Sequence, residues 1–135
     1  MTTYSSFSSR LIPFILVLAI IFLDQVSKSF VGSILSFTCN KGIAFGVGGN
    51  ALMLSILVLI LIAVFVYFEK DFLRKLSLLA IFGGGLSNLI DRFVVGCVRD
   101  FIAIGLFPAF NIADIAITIG ALSLVLSLFK NRHHK

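Results

Sequence analysis

The feature that most constrains this chain is an uncharged apolar stretch, Ala51–Phe68, which is eighteen residues long. Three further apolar stretches occupy residues 11–30, 73–90 and 112–129. A helix needs about 20 mostly apolar residues to cross a bilayer, and each stretch approaches that length. Hydrophobic residues make up 59% of the 135 residues, more than one soluble core of this size could bury. The sequence therefore predicts an all-α integral membrane protein, a single membrane domain with four transmembrane helices and a short extracytoplasmic segment after the first.

Basic residues divide unequally between the two ends of these spans. Seven of the eleven Lys and Arg lie near the termini or between the second and third spans, namely Arg10, Lys70, Arg74, Lys75, Lys130, Arg132 and Lys135. Because cytoplasmic loops carry an excess of Lys and Arg, we expect both termini to be cytoplasmic. The net charge of +5 then reflects topology, and no nucleic-acid partner is expected. No small-x-small cleavage site follows the first apolar run, which we interpret as an uncleaved helix.

Acidic residues gather at the opposite, outer end of the spans. Two of the six, Glu69 and Asp71, belong to the basic cytoplasmic loop, and the other four are Asp24, Asp91, Asp100 and Asp114. Carboxylates at or inside a membrane are costly and commonly mark a functional site. A small transporter or proton-relay protein is an alternative, but a relay would usually string its acids through the membrane depth. Clustering at one end favours a site over a path.

Two polar motifs at the outer end allow structural as well as functional interpretations. The segment LDQVSK places Asp24 and Lys28 four residues apart, which is ordinary ion-pair spacing on a helix. In the segment GGGLSNLIDRF, the residues Asn88, Asp91 and Arg92 share one helix face. Such a trio can simply join helices, although Arg is also a good donor to peptide carbonyls or lipid phosphate.

A hairpin between the third and fourth spans carries two carboxylates, Asp100 and Asp114, separated by a loop that contains Gly105 and Pro108. Such a loop can bring its ends side by side. Adjacent carboxylates cannot both ionise freely, so the pair would share one proton. One member could take a proton from water while the other donates to a carbonyl oxygen, as in an aspartic protease. Structurally, Asn111 could instead be a helix cap with Asp114 in the first turn, which leaves Asp100 unexplained.

The sequence has no cluster of residues with the types and spacing that bind a metal ion. Both histidines, His133 and His134, lie in the basic tail, and the two cysteines, Cys39 and Cys97, belong to no CxxC or His/Cys cluster. We therefore expect no metal and no cofactor. Each cysteine is expected to be a small buried apolar residue in preference to half of a disulfide.

Four blocks in chain order, DQVSK, NKGIAFG, GLSNLIDRFVVGCVRDF and FNIAD, extend over nearly the whole chain. Together they resemble the bacterial lipoprotein signal peptidase (type II signal peptidase) family. The resemblance implies an intramembrane aspartyl endopeptidase of the bacterial inner membrane, with its site toward the periplasmic face. Its substrates would be diacylglyceryl-modified prolipoproteins, cut just before the lipidated cysteine. The implied partners are these prolipoproteins and membrane lipids, and we expect a monomer.

The resemblance also implies a role for individual positions. The catalytic dyad falls on Asp100 and Asp114. Polar positions that line the site and bind substrate fall on Asn40, Asn88, Arg92 and Asn111. Positions better regarded as supporting the fold fall on Asp24, Lys28, Gly42 and Asp91.

Two departures from the family pattern stand out. Ser87 occupies a position where the family usually has glycine. Only fifteen residues separate Asp24 from Asn40, whereas the family usually has a longer segment there, which forms a small sheet platform beside the site. We expect a reduced clamp on the lipoprotein, which affects substrate breadth more than chemistry. A family member that has lost activity is a further alternative, against which the intact dyad argues.

Overall fold

The computed structural model describes residues 3–42 and 50–132 of the chain. The elements within these residues are, in chain order, α1 (Thr3–Ile34), β1 (Thr38–Asn40), α2 (Ala51–Phe68), α3 (Phe72–Val94), β2 (Val98–Asp100) and α4 (Ile112–Arg132). The part of the NKGIAFG block after Gly42 lies outside the described residues, as do both histidines and Lys135.

Each of these helices contains a span long and apolar enough to cross a membrane, namely Leu11–Ile34, Ala51–Phe68, Phe72–Val94 and Ile112–Lys130. The predicted all-α membrane class is therefore confirmed. The first and third helices continue four residues beyond the predicted ends at 30 and 90. In α3 this extension carries Asp91 and Arg92, whose side chains bond to other parts of the protein. The helix therefore does not stop where its apolar run stops.

The outer faces of the helices are apolar. Phe14, Phe65 and Phe129 expose 72%, 64% and 59% of their surfaces. Exposure of this kind suits contact with lipid chains rather than water. The largest fully buried side chains are instead polar, namely Lys28, Asn111, Asp24, Asp91 and Ser87. The interior at the outer end of the helices is thus a polar network.

Helix α3 is central and packs against α1, α2 and α4. Its contact with α4 is close because glycines stand at the crossing. A Cβ atom added at Gly84 would lie 2.5 Å from the carbonyl oxygen of Ala113, and one added at Gly120 would lie 2.6 Å from that of Ser77. Small residues let membrane helices approach in this way. The register between α3 and α4, and hence the position of the start of α4, depends on these two glycines.

The connection between α2 and α3 is held by local charges at the other end of the molecule. The Asp71 carboxylate accepts a hydrogen bond from the backbone N–H of Arg74 at 2.9 Å and so caps the start of α3. The Arg74 guanidinium lies 3.3 Å from Glu69 and 3.8 Å from Asp71, with all three side chains partly exposed. These are ion pairs between partly exposed side chains of one short connection.

A short two-stranded sheet lies beside the outer helix ends. Strands β1 and β2 pair antiparallel, with Thr38 opposite Asp100 and Asn40 opposite Val98. This pairing brings Cys39 and Cys97 to a Cα–Cα distance of 5.5 Å, and the two form a disulfide. The expectation of unpaired cysteines was therefore wrong, because a strand register that the apolar pattern does not reveal brings the two thiols within bridging distance.

Candidate active site

Asp100 and Asp114 reach the site from two different elements. Asp100 is the last residue of β2, and Asp114 lies in the first turn of α4. Both line one cavity of about 1230 Å³, which extends between the sheet and helices α2, α3 and α4. The hairpin predicted from the Gly/Pro loop does bring the two aspartates to one site.

Asp100 is almost fully buried and is held by two side-chain amides. Asn111 donates from Nδ2 to Oδ1 at 2.7 Å, and Asn40 donates from Nδ2 to Oδ2 at 3.1 Å. Burial raises the pKa of the Asp100 carboxyl above its ordinary value, and the negative charge of Asp114 acts in the same direction. The two amide hydrogen bonds oppose this rise because they stabilise the ionised form. The carboxyl of Asp100 is thus suited to retain a proton.

Asp114 is half-buried and forms a reciprocal cap with Asn111. The Asn111 side chain accepts from the Asp114 N–H at 2.9 Å, while Asp114 Oδ2 accepts from the Asn111 N–H at 3.2 Å. This is the capping-box arrangement, so the structural interpretation of Asp114 is correct as far as it goes. Its other oxygen, Oδ1, accepts from Asn88 Nδ2 at 2.9 Å and lines the cavity with Asp100. The cap therefore also orients a carboxylate toward the cavity.

One amide joins the two carboxylates. Asn111 bonds Asp100 through its side-chain nitrogen and Asp114 through its backbone, and its Nδ2 also donates to Asn88 Oδ1 at 3.1 Å. Asn88 in turn donates to Asp114. The four side chains form one continuous network, in which a shift of either asparagine would move both carboxylates.

A buried ion cluster lies behind this network. Lys28 Nζ lies 2.6 Å from Asp24 Oδ2 and 3.2 Å from Asp91 Oδ2, and it donates to Asn88 Oδ1 at 2.9 Å. Because the oxygen of Asn88 faces Lys28, the nitrogen of that amide must face Asp114. Asp24 also accepts from the backbone N–H of Ala113 at 2.9 Å. The cluster thereby fixes both an amide orientation and the start of α4.

Arg92 and Gly42 lie at the rim of the cavity. Arg92 Nη2 donates to the carbonyl oxygen of Gly42 at 2.8 Å, and the Gly42 N–H donates to Asn40 Oδ1 at 3.0 Å. Asn40 therefore bonds to the rim through its oxygen and to Asp100 through its nitrogen. All the site residues expected from the sequence lie in this rim, in the network or in the ion cluster.

Two neighbours of the ion cluster, Arg99 and Gln25, were not predicted from the sequence, and Ser87 was a departure from the family pattern without a structural reason. Arg99 and Gln25 both bond Asp91, and their only sequence signal was their place beside residues of the motifs. Ser87 is fully buried and donates from Oγ to Asp24 Oδ2 at 2.7 Å. Its hydroxyl supplies a donor to a buried carboxylate, which accounts for serine at this position.

The chain is similar to known proteins in sequence and in fold. Residues 16–130 match the family model described as "Signal peptidase (SPase) II". A lipoprotein signal peptidase of Pseudomonas syringae pv. tomato is 34% identical over 147 aligned residues, which cover 87% of this chain and 85% of that protein. One from Syntrophomonas wolfei is 35% identical, with 81% and 87% covered.

A solved structure described as a bacterial membrane enzyme has a similar fold. It superposes with a TM-score of 0.80 at 26% identity, covering 91% of this chain and 90% of its own. The similarity in sequence and the similarity in fold thus both extend over most of this chain and most of the proteins compared with it. This chain belongs to the lipoprotein signal peptidase (signal peptidase II) family of membrane proteases.

Proposed function

We propose that this protein is an intramembrane aspartyl endopeptidase that removes signal peptides from diacylglyceryl-modified prolipoproteins, cutting just before the lipidated cysteine. One observation carries the proposal. Asp100 and Asp114 line the same cavity and bond to the same residue, Asn111. Two carboxylates so joined can hold one proton between them, which is the requirement for aspartyl chemistry.

The reaction follows from that shared proton. The ionised carboxylate takes a proton from a water molecule, whose oxygen attacks the scissile carbonyl carbon. The protonated carboxyl donates to the carbonyl oxygen, giving a neutral tetrahedral intermediate. The C–N bond then breaks as the departing nitrogen takes the proton from the dyad, and a hydroxyl of the intermediate returns a proton as the new carboxyl group forms, so that the pair again holds one proton. Water is the only co-reactant.

Substrate binding is assigned to Asn40, Asn88, Arg92 and Asn111. The contact of Arg92 with the Gly42 carbonyl supports this, because a guanidinium that binds one peptide carbonyl can bind another in its place. Asn88 and Asn111 also orient the dyad through their contacts with both carboxylates. Support of the fold is assigned to Gly42 and to the buried cluster of Asp24, Lys28 and Asp91.

The diacylglyceryl group is assigned to the apolar part of the cavity. Its lining includes Val58, Leu59 and Ile62 of α2 and Ile117 of α4. Each methylene group transferred from water to such a surface contributes about 0.8 kcal/mol. Two acyl chains would therefore add many kcal/mol to binding and leave the peptide to be positioned by the polar network.

The orientation in the bacterial inner membrane is assigned from charge and from the disulfide. Seven of the eleven basic residues favour cytoplasmic termini. The Cys39–Cys97 disulfide lies at the same end as the dyad, and disulfides persist in oxidising compartments such as the periplasm. The protein then acts as a single membrane domain, a monomer, with its site facing the periplasm. A fusion of alkaline phosphatase after residue 135 should be inactive, and an active fusion would reverse this orientation.

The deciding experiment uses purified protein in detergent and a lipidated prolipoprotein. Mass spectrometry of the products should find a new N-terminus at the lipidated cysteine. The same precursor without its diacylglyceryl group is the matched control and should be cut far more slowly. Equal cleavage rates for the two precursors would refute the proposed recognition of the diacylglyceryl group. Full turnover by a folded Asp114→Asn variant would remove the aspartyl mechanism.

A further inference from the structure

Arg99 lies beside the dyad but has no part in the chemistry described above. It is the middle residue of β2 and directly precedes Asp100. Its guanidinium donates from Nη2 to Asp91 Oδ1 at 2.8 Å and from Nε to Asp91 Oδ2 at 3.3 Å. Nη2 also donates to Gln25 Oε1 at 3.0 Å. The side chain thus ties β2 to α3 and to α1.

The backbone of Arg99 is held by the same carboxylate. Its N–H donates to Asp91 Oδ2 at 2.9 Å, so Asp91 accepts hydrogen bonds from both the main chain and the side chain of one residue. Asp91 itself is fully buried and bonded to Lys28, which leaves it little freedom to move. The peptide immediately before Asp100 is therefore anchored to the interior of the helices.

Strand pairing alone would not provide this anchor. Each strand of the sheet has only three residues. An isolated two-stranded sheet has marginal stability in water even when its strands are longer. Neighbouring side chains on a strand point to opposite faces. Arg99 accordingly reaches toward Asp91 while Asp100 faces the cavity, so fixing one side chain also sets the direction of the other.

The charges of the cluster also balance through Arg99. Asp24 and Asp91 are two buried carboxylates, and Lys28 supplies one buried positive charge. Arg99, with its side chain 15% exposed, supplies the second. Without it Asp91 would lose a counter-charge and the two bonds from the guanidinium, and only the bond from the Arg99 N–H would still join Asp91 to β2 among the hydrogen bonds described here.

We propose that Arg99 is a positioning residue of the peptidase. Its hydrogen bonds to Asp91 and Gln25 fix the main chain of β2, and this in turn sets the position of the Asp100 carboxylate relative to Asp114. This inference rests on the proposed aspartyl function, since a misplaced Asp100 matters only if it reacts. Because Arg99 does not reach the cavity lining, its loss should act on turnover rather than on substrate binding.

The test compares Arg99→Gln, Arg99→Lys and a matched control, Arg74→Gln, by steady-state cleavage of a lipidated prolipoprotein. Arg74 is also a partly buried, ion-paired arginine, but it lies at the cytoplasmic end. Misplacement of a reacting group by about 1 Å can cost up to about a hundredfold, so we expect Arg99→Gln to lower kcat about tenfold with KM within about twofold. Arg74→Gln should leave both unchanged.

Rescue by the conservative variant separates positioning from general stability. Lysine keeps the charge but lacks the two-pronged geometry, so the kcat of Arg99→Lys should lie between those of Arg99→Gln and the wild type. A kcat of folded Arg99→Gln equal to that of the wild type would overturn the inference, as would a loss that merely follows the fraction folded. If Arg99→Gln does not fold, wild-type kcat in Arg99→Lys overturns it, and a reduced kcat at unchanged KM supports it.

Failure of this inference is distinguishable from failure of the proposed function. Asp114→Asn, measured in the same assay, should have almost no turnover whatever Arg99 does. An active, folded Asp114→Asn would refute the aspartyl mechanism. An inactive Asp114→Asn with a fully active Arg99→Gln would refute only the role of Arg99.

Discussion

The close crossing of α3 and α4 makes Gly84→Ala the sharpest test of how the fold positions the site. An added Cβ would lie 2.5 Å from the Ala113 carbonyl oxygen and 2.8 Å from Ile117 Cγ1. The first of these atoms belongs to the backbone and cannot rotate away. The start of α4 must therefore retreat by nearly 1 Å before the contact reaches an ordinary 3.4 Å. Asp114 directly follows Ala113, so it would move with the helix.

Two effects of this shift can be given magnitudes. Overpacking of a close helix contact typically costs about 1–3 kcal/mol of unfolding free energy. Displacement of a reacting carboxylate by about 1 Å can lower turnover by up to about a hundredfold. The shift would also stretch the 2.9 Å bond from the Ala113 N–H to Asp24. We expect Gly84→Ala to unfold several degrees earlier and to lose at least tenfold in kcat, as about 1.4 kcal/mol of lost transition-state stabilisation would produce.

Gly83→Ala is the matched control. The neighbouring Cβ would lie 3.4 Å from Val17 Cα and 3.5 Å from Ile20 Cδ1, which are ordinary contacts. Both variants gain the same helix propensity, about 1 kcal/mol relative to glycine, so their difference isolates the clash. Thermal unfolding in detergent and cleavage of a lipidated prolipoprotein measure the two effects. If Gly84→Ala behaves like Gly83→Ala in both, the account of the α3–α4 contact is wrong.

The remaining predictions concern the dyad and its surroundings. Asp100→Asn and Asp114→Asn should each abolish nearly all turnover, and the double variant should be little worse, because members of a catalytic unit are not additive. Additive losses would separate the two residues. Reduction of the Cys39–Cys97 bond should lower turnover, because it frees the strand that carries Asn40, and should lower the unfolding free energy by at most about 4 kcal/mol. A Cys39→Ala, Cys97→Ala double variant is the control and should not respond to reductant. Activity should fall at low pH, where both carboxyls are protonated, and at high pH, where the shared proton is lost. Burial raises the pKa of Asp100, so its contribution to stability should be complete below the unfolded-state pKa and lost as the pH rises through the folded-state pKa. Turnover that does not change between low and high pH would contradict a shared proton.

The membrane spans were predictable because a bilayer imposes one simple requirement on each crossing. The uncharged stretch Ala51–Phe68 coincides with α2 at both ends, and most of its side chains are exposed apolar groups that suit contact with lipid. Helix α3 was less predictable. Its last turn is polar, and only the contacts of Asp91 and Arg92 within the fold explain why the helix continues to Val94.

The candidate site was predictable in its residues but not in its connections. The motif blocks indicated Asn88 and Asn111, yet the direction of each amide depends on Lys28 and on the two carboxylates around it. The disulfide could not be predicted from the sequence for a similar reason. Its cysteines are 58 positions apart, and what joins them is the register of two three-residue strands, which carry no periodic pattern to read.

That same disulfide sets an order of events during biosynthesis. With the proposed orientation, Cys39 reaches the periplasm as soon as α1 is inserted, but Cys97 follows only after α2 and α3 have crossed. At about 5–20 residues per second, the first thiol waits roughly 3–12 s for its partner. A chain that stalls after α2 would present an unpaired thiol to oxidases and isomerases, which thiol-specific alkylation of arrested chains would detect. Maturation of the peptidase would thus depend on the oxidative folding machinery of the cell envelope as well as on membrane insertion.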